Sequence, residues 1–428
     1  MAPPRPHPLA RAPLVDRLNR WLDKAWTKGW LDHPPLGPDA LWAKAARGFS
    51  AEDEWGGRDE ADVADFRDRL TRLAGSIQAE AALNPLGRCI AHGQLIRAIR
   101  HRLELGRLWR ARPDLLTTDI AAPILVVGQM RSGTTRVHRL LAADPRHCAT
   151  RFCDSWHPVP ARPDLRPLKS GLALALARRL DPWLDTIHPF GAARADEELG
   201  WLAAALDHCA YEAQWRIPAF TAWSEARDPV PVYREFARIL RTDAAHHGNA
   251  MRRRVMKVPQ FAEDVPALLT QFPEARIVVS QRRSEETLRS SVSLVANQMA
   301  IQSNQVDLPA IEAEWRRKIA LRDDRAARAL ADFDGPVATI DFDRLGTDWL
   351  GEMEAVYAAL GLGPLDEPAK AAMRREMAQA TQSPHLDHAH HIADFNDERA
   401  EAPASQAASV VRTASGMSIL AKAGESSP

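Results

Sequence analysis

Three cationic side chains follow short apolar runs: Arg131 after Ile124-Leu125-Val126-Val127, Lys257 after Val255-Met256, and Arg282 after Ile277-Val278-Val279-Ser280. Cations recurring at the ends of buried strands call for an anion between them. The first lies in Gly128-Gln129-Met130-Arg131-Ser132-Gly133-Thr134-Thr135, a glycine-bounded turn leading into a helical pattern of Val137, Leu140 and Leu141. Backbone N–H groups converge at such a helix start, and the positive end of its dipole favours a phosphate-like group. The frame is that of a P-loop, but position 134 is Thr where a nucleoside-triphosphatase needs Lys. The cation has moved to the loop crown as Arg131. The chemistry implied is phosphate binding for something other than ATP hydrolysis.

A second strand–turn–helix pattern runs from Arg276 to Ser291. Ser284 is expected to cap its helix, with Glu285 and Glu286 in the first turn. Ser290 follows Arg282 by eight positions, and an Arg fork is a group suited to phosphate because it gives directional, charge-assisted paired hydrogen bonds. Arg283 stands beside Arg282, and either could be the binder.

Loops of the form [K/R]-S-G-T-T after a strand are the 5′-phosphosulfate loop of sulfotransferases, which use 3′-phosphoadenosine 5′-phosphosulfate (PAPS). Arg131-Ser132-Gly133-Thr134-Thr135 resembles that loop. The resemblance implies that these five residues bind the cofactor and that Arg282 and Ser290 hold its 3′-phosphate, although the family usually reads R-D-P where this chain has Arg282-Arg283-Ser284. The stretch Val255 to Phe261 is similar to the family strand ending in L-K-[ST]-P, with Lys257 at the lysine position, and Asp341 to Leu345 with Ala355 to Gly363 resembles its late strand and helix. The coverage is roughly Pro123 to Gly363, and the preceding helices resemble the leader of a bacterial branch. Animal relatives stack the adenine on a Trp after the T-T pair; here that residue is Arg136, whose guanidinium can also stack on a purine.

The function implied is transfer of a sulfuryl group from PAPS, leaving PAP, to a hydroxyl of a small-molecule, lipid or glycan acceptor. A P-loop kinase and a nucleotide-binding relative without catalysis are the alternatives. Arg131 and Lys257 would neutralise charge in the transfer, so no metal is required. The base stays open. Many animal-type relatives carry a His two residues after the strand lysine, but that position is Pro259. Asp154, Glu197 and Glu198 are the candidates; Glu197 and Glu198 lie in a stretch that resembles the family's acidic segment beside the acceptor pocket. His157 and His188, each next to a proline, rank lower. His385, His388, His390 and His391 resemble a metal tract but lack a Cys or Glu partner at a fixed spacing.

The elements that must position these groups form an α/β pattern: a P-loop-type parallel sheet flanked by helices, with an N-terminal helical segment and a helical insertion. Strands are expected over Ile124–Val127, Arg254–Lys257, Ile277–Ser280 and Val337–Ile340. Residues 1–115 read as helical; Val63, Phe66, Leu70, Leu73 and Ile77 form a stripe, and Leu95, Ile96, Ile99 and Leu103 form another beyond Asn84-Pro85. That hairpin must pack on something, the core domain being the expected surface, and dimerisation would serve as well. Residues 116–384 form the α/β domain, with 157–253 an insertion shaping the acceptor pocket. Trp183, Trp201, Trp215 and Trp223 in it, with Trp156 just before it, suit an apolar or glycan acceptor or simply a core. Residues 385–428 read as a partly disordered tail.

In 428 residues, Lys+Arg and Asp+Glu both total 56. That balance gives no reason to expect nucleic acid or an anionic membrane as the main partner. Cys89, Cys148, Cys153 and Cys209 show no metal-ligand spacing and read as reduced thiols. The apolar run Gly171 to Ala177 is far too short to span a bilayer, so a soluble cytoplasmic protein is expected.

Overall fold

The computed structural model describes residue 5 and residues 7–381. The expected tail and its four histidines lie outside the described residues. Five strands, β1 (Ile124–Val127), β2 (His147–Ala149), β3 (Arg253–Lys257), β4 (Arg276–Gln281) and β5 (Val337–Asp341), form one sheet in the order β2-β3-β1-β4-β5. Every pairing is parallel. Each crossover therefore carries helices, and the carboxyl ends of the strands gather at one edge.

The central strand explains its own composition. Leu125 and Val127 enter one core with Met256, Ile277 and the helix Val230–His247, while Ile124 and Val126 enter the other with Val137, Val278 and Ile340. Side chains alternate between faces along a strand, so a strand covered on both sides must be apolar throughout. The four expected strands are present within a residue at each end; β2 is additional. Asp341 closes β5, and the residues after it turn directly into the helix Phe342–Thr347, which Asp341 caps through the N–H groups of Asp343 and Arg344.

The leader hairpin consists of the helices Glu60–Glu80 and Pro85–Ala111, capped by Asp59 and Asn84. Its apolar stripe packs mainly on the insertion rather than on the sheet: Phe66, Leu70, Leu73, Ile99 and Leu103 share a core with Leu206, Tyr211, Trp215 and Phe220. Trp183, Trp201 and Trp215 are buried, and Trp156 and Trp223 pack against that core; all five thus serve packing. Asn84 also bonds Gln302 and Ile301 at the end of the helix Ser284–Gln302, which ties the leader to the element bearing Ser290. The four cysteines are free thiols, three of them buried. Among the described residues no helix is long and apolar enough to cross a membrane.

Candidate active site

The loop between β1 and the helix Thr134–Ala143 is held in one shape by bonds from three directions. Ser132 Oγ donates to the Gln129 carbonyl (2.8 Å), and Ser280 Oγ, from β4, donates to the Ser132 carbonyl (2.9 Å). The Gln129 amide donates to Asp323 Oδ1 (2.7 Å) and to the Ile319 carbonyl (3.0 Å). Gly133 occupies the helix N-cap at φ +89°, a left-handed conformation, and a Cβ there would stand 2.0 Å from Phe342 Cδ2. Only glycine fits that approach. The Arg136 N–H donates to the Gly133 carbonyl (2.9 Å), while the N–H groups of Thr134 and Thr135 have no acceptor within the helix, an arrangement suited to an anion at the crown.

Arg131 is itself left-handed, at φ +71°. A non-glycine residue held there is strain of the kind concentrated at functional sites. Its Nε donates to Ser290 Oγ (2.8 Å) and its Nη1 to the Ile187 carbonyl (2.6 Å). Arg282 in turn donates to the Arg131 carbonyl (3.1 Å). The two sequence motifs thus meet at one residue, with Ser290 buried on its helix. Arg282 and Arg283 are also distinguished: the Arg283 side chain is 74% exposed and paired with Glu286, whereas Arg282 is 24% exposed and turned toward the loop while sharing Glu286. Ser284 is not the cap expected of it, because Arg283 takes the cap position without a side-chain bond and Ser284 begins the helix.

Phe342 lies in the Asp341 to Leu345 stretch, but nothing in the sequence placed its ring at the loop. Its ring lies under two guanidiniums, Arg282 at 4.7 Å and Arg136 at 5.1 Å, and abuts Gly133. Burial, aided by the charge of Arg282, lowers the pKa of Arg131 to about 10 and also lowers that of Arg136. Like charges crowded in a partly dry site favour an anion among them.

Lys257 ends β3, in register with Val126. Its ammonium is buried and paired with the carboxylate of Glu197. The acidic segment is set by antiparallel contacts with the chain after β2: Phe152 N–H to the Arg194 carbonyl (3.0 Å), Asp196 N–H to the Thr150 carbonyl (2.9 Å), and an Arg151–Ala195 bridge. Asp196 accepts from the Glu197 N–H (2.8 Å) and pairs with His188 Nε2 (3.2 Å). Burial alone would raise the Asp196 pKa, but His188 and Arg139 hold it down at about 2. His188, ranked low from sequence because Pro189 follows it, therefore stands within the cluster of Lys257, Glu197 and Asp196.

The three sequence candidates for the base separate sharply. Glu197 faces Lys257. Glu198 is fully buried and accepts from the Lys257 backbone N–H (2.9 Å), so it braces the strand end. Asp154 is not brought to the loop: Arg151 (2.6 Å), Arg166 (3.1 Å) and His247 (3.3 Å) surround its carboxylate and hold its pKa well below the usual range against the opposing effect of burial. His157 packs edge-on against His101 of the leader, 6.1 Å between rings.

Among the described residues, three groups present His and carboxylate ligand atoms within 4.8 Å of one another: His188–Asp196–Glu197, Asp154–Asp243–His247 and His208–Glu212–Glu225. Each already contains a cationic side chain: Lys257 on Glu197, Arg151 and Arg254 on Asp154 and Asp243, and Lys318 on Glu212 and Glu225. A divalent ion would have to displace these charges.

Burial pushes the Glu198 carboxyl from 4.5 up to about 8, against the bonds and charges of Lys257, Thr150 and Arg254. The unfolded chain releases this proton near 4.5 and the folded chain near 8. Between those values the folded state holds more proton, so stability falls as pH rises and levels off above the window. Glu198→Gln imitates the neutral carboxyl and should be more stable than wild type at about pH 8 by about 2–4 kcal/mol, with little difference near pH 4.5. Urea unfolding at both values measures this, and equal pH slopes in the two proteins would refute it.

Residues 123–367 match the family model described as the sulfotransferase family. The chain belongs to the sulfotransferase family. The crystal structure of the sulfotransferase STF1 from Mycobacterium tuberculosis H37Rv is similar to this sulfotransferase with a TM-score of 0.68 and 27% identity, over 78% of this chain and 92% of that one. The sulfotransferase STF9 from Mycobacterium avium shares the fold, with a TM-score of 0.71 and 20% identity over 82% of this chain and 89% of that one. No curated protein sequence matches this sulfotransferase.

Proposed function

We propose that this sulfotransferase takes its sulfuryl group from PAPS and passes it to the hydroxyl of a small-molecule, lipid or glycan acceptor. The observation that carries the donor assignment is the meeting of the two motifs at Arg131: Ser290 on its guanidinium and Arg282 on its carbonyl, across more than 150 residues of chain. A donor with two separated phosphates fits that arrangement better than one with a single phosphate chain. When bound, PAPS supplies the activated sulfuryl.

The protein's own groups then divide the work. The loop N–H groups and Arg131 hold the 5′ end, and Arg282 with Ser290 holds the 3′-phosphate. Phe342 and Arg136 flank the base. Lys257 neutralises charge on the transferring group, and Glu197, released from Lys257, takes the acceptor proton. In-line transfer between two oxygens requires mainly positioning and charge, and these groups provide both.

A thermal-shift titration with PAP, ADP and ATP on wild type and Arg282→Ala tests the donor. Ligand at about 100 times its Kd adds roughly 2.7 kcal/mol of stability. PAP should stabilise wild type well above ADP, and the preference should vanish in the variant. An ATP preference requiring Mg²⁺ would overturn the reading.

A further inference from the structure

The helix Arg166–Leu180 presents an apolar line to solvent rather than to the protein. Leu165, Leu168, Leu172 and Leu176 are 50%, 62%, 66% and 61% exposed, spaced by three and four residues, with exposed Ala173 and Ala175 between them. On the opposite side Ser170 and Leu174 are buried, and Leu180 packs against the N-terminal helix Pro13–Thr27. Solitary exposed leucines need no explanation, but four in a row along one helix face do.

The surrounding charge indicates what covers them. This helix contains no Asp or Glu, in a chain whose acids and bases balance. The acids beside it are already engaged: Asp164 with Arg166 (2.9 Å), Asp181 with Asn297 (2.6 Å) and Asp185 with Arg178 (2.7 Å). Arg162, Lys169 and Arg179 remain exposed alongside the leucines. The acid nearest Lys169 is Glu104 of the leader, already paired with Arg100. A leucine stripe flanked by exposed long cations suits the boundary of an anionic bilayer, where leucines enter the acyl region and cations reach headgroups. A second copy fits less well. It would oppose these cations to their own kind, and one 15-residue helix offers less than the roughly 800 Å² per partner typical of stable interfaces.

We propose that Leu165, Leu168, Leu172 and Leu176 seat the protein on an anionic lipid surface, with the helix lying in the plane of the interface. The run too short to cross a membrane is long enough to lie on one. Docking there also places the site near lipid. Ile187, whose carbonyl receives the Arg131 guanidinium, follows the helix end by seven residues, a reach of at most about 25 Å.

Co-sedimentation of the full chain with vesicles tests this independently of donor or acceptor. Wild type should bind phosphatidylcholine vesicles containing about 30% phosphatidylglycerol, bind pure phosphatidylcholine at least tenfold more weakly, and detach in about 0.5 M NaCl. The double variant Leu168→Ser/Leu172→Ser should lose binding at least tenfold with its Tm unchanged. Lys169→Glu/Arg179→Glu should lose the anionic preference. Failure of wild type to bind either vesicle, or undiminished binding by the leucine variant, overturns the proposal. So does a wild-type dimer in sedimentation equilibrium that the leucine variant dissolves. The PAP response of the leucine variant separates failure here from failure of the donor assignment.

Discussion

Arg131→Ala will lower the maximal rate of PAP release by about 10²–10³-fold, the usual consequence of removing one fixed charge aimed at a transition state. The site gives physical reasons for an effect of that size. The guanidinium is fixed by Ser290 and the Ile187 carbonyl, so it loses little freedom when charge develops beside it. Burial and Arg282 already disfavour its charged form, so an anion that arrives there relieves an existing cost. The backbone stays left-handed in the variant, so alanine carries a strain similar to that of arginine. Losing the bonds to Ser290 and Ile187 should lower Tm only by a few degrees, too little to account for the rate loss. Arg131→Lys preserves charge but not the fork, and should recover only part of the loss. Measuring PAP release covers every acceptor, water included. Full activity in Arg131→Ala would remove this residue from the chemistry and leave it a structural pin between Ser290 and Ile187.

How much of this was legible in the sequence follows from the range over which each feature is determined. The loop was legible because strand, glycine turn and helix start are contiguous, and the local pattern alone sets the cradle. Arg282 and Ser290 were picked out by a spacing that resembles the family's and favours Arg282 over Arg283, and in the fold Arg282 is the less exposed of the two and bonds the loop. β2 was not: His147, Cys148 and Ala149 lack the branched or aromatic residues that mark strands, and they pair only because β3 lies beside them. Phe342 follows β5 and reaches Gly133 only through the fold. Ser284 had the right type for a cap, but the chain leaves β4 so that Arg283 occupies that position. The leader's periodicity predicted two helices without naming their partner, because a stripe records that a surface is covered and not by what. His188 and Asp196 find each other over a proline-broken segment that has no period to read.

Glu197→Gln should lower PAP release at neutral pH by about 10²–10⁴-fold, the range contributed by a general base. Its carboxylate pairs with Lys257, so each holds the other in place until a substrate separates them. Glutamine keeps the shape and a hydrogen bond but cannot take a proton. Two further observations distinguish a base from a charge that merely orients Lys257. The deficit of the glutamine variant should shrink as pH rises toward the acceptor hydroxyl's own pKa, because an acceptor that ionises by itself needs no base; an orienting charge would leave a deficit independent of pH. Lys257→Ala should instead reduce the rate at every pH, since in the proposed mechanism its charge acts on the sulfuryl and not on the proton. Asp154→Asn supplies the contrast, because loss of its charge disturbs the pairing with Arg151 and Arg166 and should lower Tm without imposing a comparable pH-dependent rate deficit. Wild-type rates in Glu197→Gln at neutral pH would remove Glu197 from the base role and leave it a partner that orients Lys257.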